Sequence, residues 1–526
     1  MKILLLSLLL YPSFLWSQTK YDVLIVNGRI LDGTGNSWFR ADLAIKDGRI
    51  VAIGKNLPRL QSAEVVDARD MIVAPGFIDV HTHIEGEESR TPTADNFIYD
   101  GVTTVVTGNC GSSQVDVGRY LFFIDSLRPS VNVATLIGHN DVRRSVMGRA
   151  MRDASSDEMQ QMIQLVEEAM RQGAVGFSTG LIYIPGAYAS TNEVVLLAGA
   201  AAKYNGVYAS HIRNEGDSVV AAVKEAIYIG KANNMPVQIS HFKVSGQQNW
   251  GRSKETIQLV INARQELLDV TIDQYPYTAS STSLSTLLPD EILADGQDSL
   301  KARLQRPEVR EYIIRYMLDR LKKRKLKHFS YPVVANYSFD TSFNGKSIES
   351  VNLQMGRRHK AKVEAQTVID MMMNGGASMV FHGMAETDVK RIMQYPFNMF
   401  ASDASIRAWG VGVPHPRGYG TNARVLGKYV REEKVISLEE AVRRMTSLPA
   451  QKFQLNDRGL LREGMAADIV IFDPAVIRDA ATYEQPHQFA IGMQFVWVNG
   501  QLVLREGKHT GVRSGKALKG PGVQKP

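Results

Sequence analysis

Cysteine is almost absent from this sequence: Cys110 is the only one among 526 residues. The chain therefore cannot form an internal disulfide. A single thiol is either buried and inert or held by another group, such as a metal ion. Counting alone favours burial, but the position of Cys110 along the chain favours a metal.

An apolar run long enough to cross a membrane is also missing. The run from Ile3 to Leu10 is too short for a comfortable span. Lys2 precedes it and the small residue Ser17 follows it, so we predict that residues 1–17 are a cleaved signal peptide and that the mature protein is periplasmic or secreted. An uncleaved anchor is the alternative, and the lack of a cysteine near Ser17 argues against a lipid anchor.

A strong charge of one sign is missing as well. The net charge of +7 is mild, and 44% hydrophobic with 22% charged residues is ordinary for a soluble globular protein. One basic cluster runs from Arg320 to Lys327, without the interleaved aromatic residues of nucleic-acid-binding segments. We expect no nucleic-acid partner. The cluster is predicted to be a solvated helix face or, alternatively, to steer anionic substrates weakly.

The two ends of the chain share a pattern of short apolar runs and tight turns. Asn27-Gly28 and Asp47-Gly48 near the N-terminus, and Asn499-Gly500 near the C-terminus, are hairpin signals. Neither end is long enough to form a domain by itself. We therefore predict one small β-sandwich domain built from residues 18–74 and 456–512.

Between the ends, apolar runs alternate with helical patterns, as in a parallel sheet that is buried on both faces. One predicted helix begins at the capping box Ser155–Glu158 and ends at Gly173. The fold class is thus predicted to be α/β, a TIM-like (β/α)8 barrel over residues 75–455. Nine runs qualify as strands, one more than the barrel needs: the run that leads to His81, and residues 101–107, 131–138, 174–178, 206–210, 236–240, 270–274, 378–381 and 397–401.

The alternation breaks after Pro289. Residues 303–327 are predicted to form a long charged helix with no barrel strand. We therefore interpret residues 290–350 as an insertion over the barrel mouth and a candidate lid, with a peripheral decoration as the alternative. The basic, proline-containing residues 513–526 are predicted to be a disordered tail.

Residue types that bind metals follow several of the predicted strands. His81 and His83 alternate at the end of the first run, so their side chains point to the same face. Four more such residues each end or follow another apolar run: Cys110, His211, His241 and Asp403. Barrel active sites form at the carboxyl ends of the strands, so we expect the whole set to converge at one mouth. Zinc is the metal that accepts this mixture of imidazole, thiolate and carboxylate.

A zinc site of this kind predicts hydrolysis of an amide bond. Zinc lowers the pKa of a bound water towards ~7 and polarises a carbonyl group. A nearby carboxylate can take the proton and later pass it to the leaving amine. Asp403 fits this role best, and Asp79 and Asp273 are its rivals.

Further polar side chains lie where a substrate would reach them. Arg417 follows Asp403 in a loop rich in glycine and proline, and an arginine there is suited to gripping a carboxylate through two hydrogen bonds. The other candidates are Lys243, Tyr275, Ser281 and Tyr183. For each of them taken singly, a structural hydrogen bond is an equal alternative.

Five short stretches carry a resemblance to a known family: His81–His83, Gly108–Gly111, Ser210–Glu215, Ser240–Lys243 and His415–Arg417. By these motifs the sequence resembles the amidohydrolase superfamily and, within it, the N-acyl-D-amino-acid deacylases (D-aminoacylases). The likeness runs from about Tyr21 to Gly511. Related hydantoinases and dihydroorotases share the His-x-His motif but bridge their metals with a carboxylated lysine, whose place Cys110 takes here.

The resemblance implies a metal-dependent hydrolase barrel with a tight zinc held by Cys110, His211 and His241. It implies a weaker second site at His81 and His83, shared with Cys110 and Asp403. It also implies that Asp403 acts as general base and then as general acid. Five residues would bind the carboxylate and carbonyl of the substrate: Arg417, Lys243, Tyr275, Ser281 and Tyr183.

The leading hypothesis is therefore zinc-dependent hydrolysis of N-acyl-D-amino acids, or of dipeptides with a C-terminal D-residue. A cyclic amidase or lactamase of the same superfamily is one alternative. A non-catalytic binding protein on this fold is the other. The expected partner is a small-molecule substrate, and the sequence leaves the oligomeric state open.

Overall fold

Strands from both chain ends form one sheet. The computed structural model describes residues 20–523, so the predicted signal peptide lies outside the described residues. Within that range the sheet has nine strands: Tyr21–Ile30, Phe39–Lys46, Arg49–Gly54, Ser62–Asp67, Ile72–Pro75, Ile469–Phe472, Met493–Val498, Gln501–Arg505 and Lys508–His509. The two ends join where Ile72–Pro75 pairs antiparallel with Ile469–Phe472. One buried cluster combines side chains of both ends, which confirms the predicted shared β-domain.

Two of the three predicted hairpin turns are confirmed. Asp47-Gly48 and Asn499-Gly500 both have positive φ angles and connect paired antiparallel strands. The prediction for Asn27-Gly28 is wrong. The strand Tyr21–Ile30 continues through it with a register shift, because the positive φ of 63° at Asn27 is accommodated in a β-bulge.

A closed parallel barrel lies between the two parts of this sheet. In the described chain the barrel has eight strands, and the third of them consists of two short pieces. The strands are Phe77–Asp79, Val102–Thr107, Asn132–Thr135 with Ile137–Gly138, Gly176–Gly180, Val207–His211, Val237–Ile239, Val270–Gln274 and Asn398–Phe400. The ring closes just beyond the first and eighth strands, where the N–H of His83 donates to the carbonyl of Ala404 at 2.9 Å. The (β/α)8 prediction is therefore confirmed.

Helices surround the barrel: Asp95–Ile98, Val117–Leu127, His139–Met147, Ser156–Gln172, Thr191–Ala202, Val219–Ala232, Ser253–Gln265, Glu386–Met393, Arg417–Arg424, Leu438–Met445 and Ser447–Lys452, with a π-helical segment at Val425–Glu432. The predicted capping box is present, since Ser155 and Glu158 each accept the other's backbone N–H. In the part of the chain described here, no helix combines the length and the apolar character needed to cross a bilayer.

The surplus strand candidate belongs to an insertion. Residues 378–382 pair antiparallel with Ala279–Ser283 and Pro332–Asn336 in a separate sheet. The prediction that residues 378–381 form a barrel strand is therefore wrong. The inserted unit runs from residue 279 to residue 382 and is longer than the predicted 290–350. Its helices are Gln297–Gln305, Pro307–Lys323, Ile348–Gln354 and Ala361–Met373, and they share one buried apolar cluster. Pro307 splits the predicted long helix because it has no N–H to continue the first segment.

The predicted disordered tail is ordered as far as the structure describes it, to residue 523. The backbone of Lys516 and Leu518 pairs with Val133 on the third barrel strand. A Cβ on Gly515 would lie 2.0 Å from the carbonyl oxygen of Val131, so only glycine permits this close approach. The prediction of disorder rested on the basic residues and prolines of this segment, whereas its glycine lets the backbone lie against the barrel.

Candidate metal centre and active site

The six predicted ligands converge at the carboxyl ends of the barrel strands. Cys110 is at the centre of the group. Its Sγ lies 3.3 Å from His81 Nε2, 3.4 Å from His211 Nδ1 and 3.6 Å from His241 Nε2. Three overlapping ligand sets result: Cys110 with His211 and His241, Cys110 with His81 and His83, and Asp403 with His81 and His241.

Asp403 completes the group from the eighth strand. Its Oδ1 lies 3.2 Å from His83 Nε2 and 3.6 Å from His81 Nε2. Its Oδ2 lies 2.8 Å from Nη1 of Arg417. Burial alone would raise the pKa of Asp403, but the charges of Arg417 and His81 outweigh it and hold that pKa well below its ordinary value. Asp403 is therefore an ionised carboxylate beside the imidazoles.

The backbone is strained at this site. Cys110, His241 and Asp403 all have left-handed φ angles, of 53°, 35° and 50°. Such conformations cost energy in residues other than glycine and cluster at functional sites. Each of the three lies two or three residues beyond the end of a barrel strand, and their side chains meet at the common mouth.

The chemistry of these donors fits a divalent metal ion. Burial lowers the pKa of His211 and His241 well below the ordinary value, so both rings are neutral and have a free lone pair. Burial also raises the pKa of the Cys110 thiol, so a thiolate there needs a cation beside it. Nε2 of His241 and Nδ1 of His211 lie only 2.8 Å apart, as expected of two nitrogen ligands directed at the same metal ion. Cys110, His211 and His241 form one fully buried set of three ligands of the types that zinc accepts.

Two rival carboxylates lie behind the ligands rather than beside the cavity. Asp79 accepts the backbone N–H groups of His81 and Ser402, and burial raises its pKa to about 6. Asp273 accepts the backbone N–H of His241 at 2.7 Å and lies 3.6 Å from Nδ1 of His81. Both therefore orient ligands, whereas Asp403 borders the cavities.

Glu215 is a site residue that the sequence reasoning did not single out. Its Oε1 lies 3.0 Å from Nδ1 of His241 and accepts from Nζ of Lys243 at 2.6 Å. It thus fixes one ring and one candidate substrate contact together. The sequence pointed to Glu215 only through its position four residues after His211, within the stretch Ser210–Glu215 that carries part of the family resemblance.

A cavity of about 350 Å³ opens above the ligands towards the insertion. Its lining includes His211, His241 and Asp403 on the barrel side. The insertion contributes the opposite wall, including Arg320, Lys323, Arg324, Tyr316 and Tyr331. The insertion therefore forms part of the site and is not a remote decoration.

A second cavity of similar volume meets the first at Asp403, Tyr183 and Ser281, which line both. The predicted substrate residues flank this junction. Nζ of Lys243 lies 5.3 Å from the centre of the Tyr275 ring, and Cζ of Arg417 lies 4.5 Å from it. Two cations thus approach one aromatic ring beside the metal ligands. Tyr183 packs edge-on against His211 and accepts from Thr282 through its hydroxyl.

The barrel, with imidazole, thiolate and carboxylate groups at the ends of its strands, defines a metal-dependent hydrolase. A model of the amidohydrolase family matches residues 64–315 and 348–504. The chain is 36% identical to D-aminoacylase from Alcaligenes xylosoxydans xylosoxydans, over 95% of this chain and 97% of that protein. This chain belongs to the amidohydrolase family, and the predicted resemblance to D-aminoacylases is confirmed.

Solved structures agree. The crystal structure of N-acyl-D-glutamate deacylase from Bordetella bronchiseptica, complexed with zinc and a phosphonate mimic of the tetrahedral intermediate, matches with a TM-score of 0.80 and 34% identity, over 95% of this chain and 100% of that chain. A D-aminoacylase structure also matches, with a TM-score of 0.80 and 32% identity over 95% of this chain and 100% of that chain. That protein is described as having a binuclear metal center with one-metal activation and second-metal attenuation.

Proposed function

We propose that this protein is a zinc-dependent deacylase of N-acyl-D-amino acids. The observation that carries the proposal is the convergence of Cys110, His211, His241 and Asp403 beside Arg417. The deacylases among its relatives support the substrate class. We propose one tight zinc at Cys110, His211 and His241, and a weaker second site at His81 and His83.

The residues of the chain divide the work of hydrolysis. Zinc, when bound, supplies a water of lowered pKa and a Lewis acid for the substrate carbonyl. Asp403 takes the proton from the attacking water and gives it to the leaving amine. Arg417 and Lys243, which both lie close to the Tyr275 ring, hold the free carboxylate of the D-residue. Glu215 keeps Lys243 in place for that contact.

Replacing Arg417 by alanine should separate linear from cyclic substrates. We expect kcat/KM for N-acetyl-D-methionine to fall about 10- to 100-fold, because a charged hydrogen bond contributes roughly 1.5–3 kcal/mol. The matched substrate is the N-acetyl-D-methionine amide, which has no carboxylate to grip and should lose far less. An equal loss on both substrates would show that Arg417 acts only through Asp403, and no loss on either would favour the cyclic amidase.

We also propose that the preferred substrates carry a second negative charge. Arg320, Lys323 and Arg324 line the cavity mouth together with one nearby carboxylate, Asp217, on which Lys323 and Arg324 act electrostatically. The three cations outnumber it, and an excess of positive charge at a cleft mouth attracts anions. The basic cluster is therefore interpreted as steering substrates, which was the alternative interpretation of its sequence.

Removing these three charges together should lower kcat/KM for N-acetyl-D-glutamate about tenfold, with a smaller effect on N-acetyl-D-methionine and a weaker effect at high salt. A matched triple variant neutralises Lys322, Lys325 and Lys327, which are exposed on the same segment and do not line the cavity. If both triple variants behave alike, the mouth does not select anions.

We propose that the protein acts outside the cytoplasm, as a periplasmic or secreted enzyme. The support is the sequence pattern of residues 1–17, a positive residue followed by a short apolar run and a small residue. N-terminal sequencing of the native protein should begin at Gln18. An N-terminus at Met1 would contradict cleavage.

A further inference from the structure

A second group of metal-binding side chains lies in the insertion, apart from the active site. It consists of His328, Glu349, His359 and Glu364, whose ligand atoms all lie within 4.8 Å of one another. His328 lies in the segment before the strand Pro332–Asn336, and Glu349 in the first turn of the helix Ile348–Gln354. His359 and Glu364 lie just before and just inside the helix Ala361–Met373.

The contacts in this group are close. Nδ1 of His328 lies 2.6 Å from Oε1 of Glu364, and Nε2 of His359 lies 2.6 Å from Oε1 of Glu349. Nδ1 of His328 is also 3.9 Å from Oε1 of Glu349. The two imidazole rings stack with centres 4.0 Å apart and an angle of 22°. Two carboxylates and two imidazoles therefore share one small volume.

The group brings two carboxylates together, and one of them is removed from water. The Glu364 side chain is fully buried, and in the described chain its ion-pair partner is His328 rather than a lysine or arginine. Buried carboxylates are stable when they are paired or coordinate a metal ion. A divalent ion at the point where the four ligand atoms meet would offset the charges of both carboxylates.

We propose that His328, Glu349, His359 and Glu364 form a structural zinc site in the insertion. Two imidazoles and two carboxylates are a donor set that zinc accepts, and four protein ligands make a closed site without a position for substrate. This proposal is independent of the proposed function, because it uses none of the active-site residues.

The site would fix the wall of the catalytic cavity. It ties together three segments of the insertion that are otherwise joined by loops. Tyr331 lines the cavity only three residues after His328, and the guanidinium of Arg324 lies 4.7 Å from the centre of the Tyr331 ring. Zinc at the insertion therefore holds in place the residues that face the substrate mouth.

The test uses full-length protein and zinc alone as the probe. The Cys110→Ala protein lacks the thiolate of the catalytic site, so after dialysis against excess zinc and then against buffer it should retain about one tightly bound zinc per chain, measured by mass spectrometry of the metal. Adding His359→Ala should remove that zinc. Glu349→Gln should do the same, whereas Glu311→Gln, an insertion carboxylate that pairs with Lys362, should not.

Circular dichroism checks that each variant is folded. If the variant with His359→Ala does not fold, Glu349→Gln takes its place in the test. In a second readout, zinc should raise the Tm of the Cys110→Ala protein by several degrees and leave the Tm of the double variant unchanged. The proposal is overturned if the Cys110→Ala protein retains no tight zinc. It is equally overturned if the folded double variant retains as much zinc as the Cys110→Ala protein.

Discussion

Replacing Asp403 by asparagine should lower kcat for N-acetyl-D-methionine about 10²- to 10⁴-fold, the range that general acid–base groups contribute. Asparagine has almost the same shape and can remain beside Arg417, but it cannot take a proton from water. The carboxylate it replaces is ionised at neutral pH, because Arg417 and His81 hold its pKa well below the ordinary value. The loss should therefore appear in kcat more than in KM.

The measurement is steady-state kinetics together with the zinc content of the same preparation. Zinc at the tight site should remain, since Cys110, His211 and His241 are untouched. Asp79→Asn is the comparison variant: that carboxylate binds backbone N–H groups behind the ligands, so its loss should lower Tm. Activity of Asp403→Asn within about threefold of the wild type would rule out the proposed base, on the scale that acid–base catalysis sets.

Replacing Cys110 by alanine should remove about one zinc per chain and nearly all activity. Cys110 contacts three imidazoles and is the one thiolate of the cluster, so the tight site keeps only His211 and His241. A ligand present at a hundred times its Kd raises the free energy of unfolding by roughly 2.7 kcal/mol. The part of the zinc-dependent rise in Tm that comes from binding at this site should therefore disappear.

Metal analysis and a thermal melt with and without added zinc check this expectation. Ser113→Ala is a control, because that hydroxyl lies near the same loop and contacts no predicted metal ligand. A Cys110→Ala protein with the zinc count of the wild type would contradict the assignment of Cys110 as a ligand.

The location of the active site could be predicted because one rule governs it. Side chains that follow parallel strands meet at the same end of a barrel, so a ligand type after each of several apolar runs was enough to bring Cys110, His211, His241 and Asp403 together. The rule needs only the strand ends. It does not need the register or the helices.

Features that depend on distant packing could not be predicted in this way. The run 378–381 has the length and composition of a barrel strand, and only its partners Ala279–Ser283 and Pro332–Asn336 assign it to the insertion. The segment after residue 513 has a disordered composition, but its glycines allow close backbone contact with the barrel. Glu215 has no periodic signal, because its role depends on Lys243 from the neighbouring strand end.

The seam of the barrel decides when Asp403 can join the metal ligands. The two ligand sets that share Cys110 lie at the ends of the first six strands, so they draw only on the first half of the chain. His83 and Asp403 are 320 residues apart and meet only when the eighth strand closes on the first, where the N–H of Asp403 donates to the carbonyl of His81. The proposed base therefore joins the proposed metal ligands only in a chain whose ring is complete.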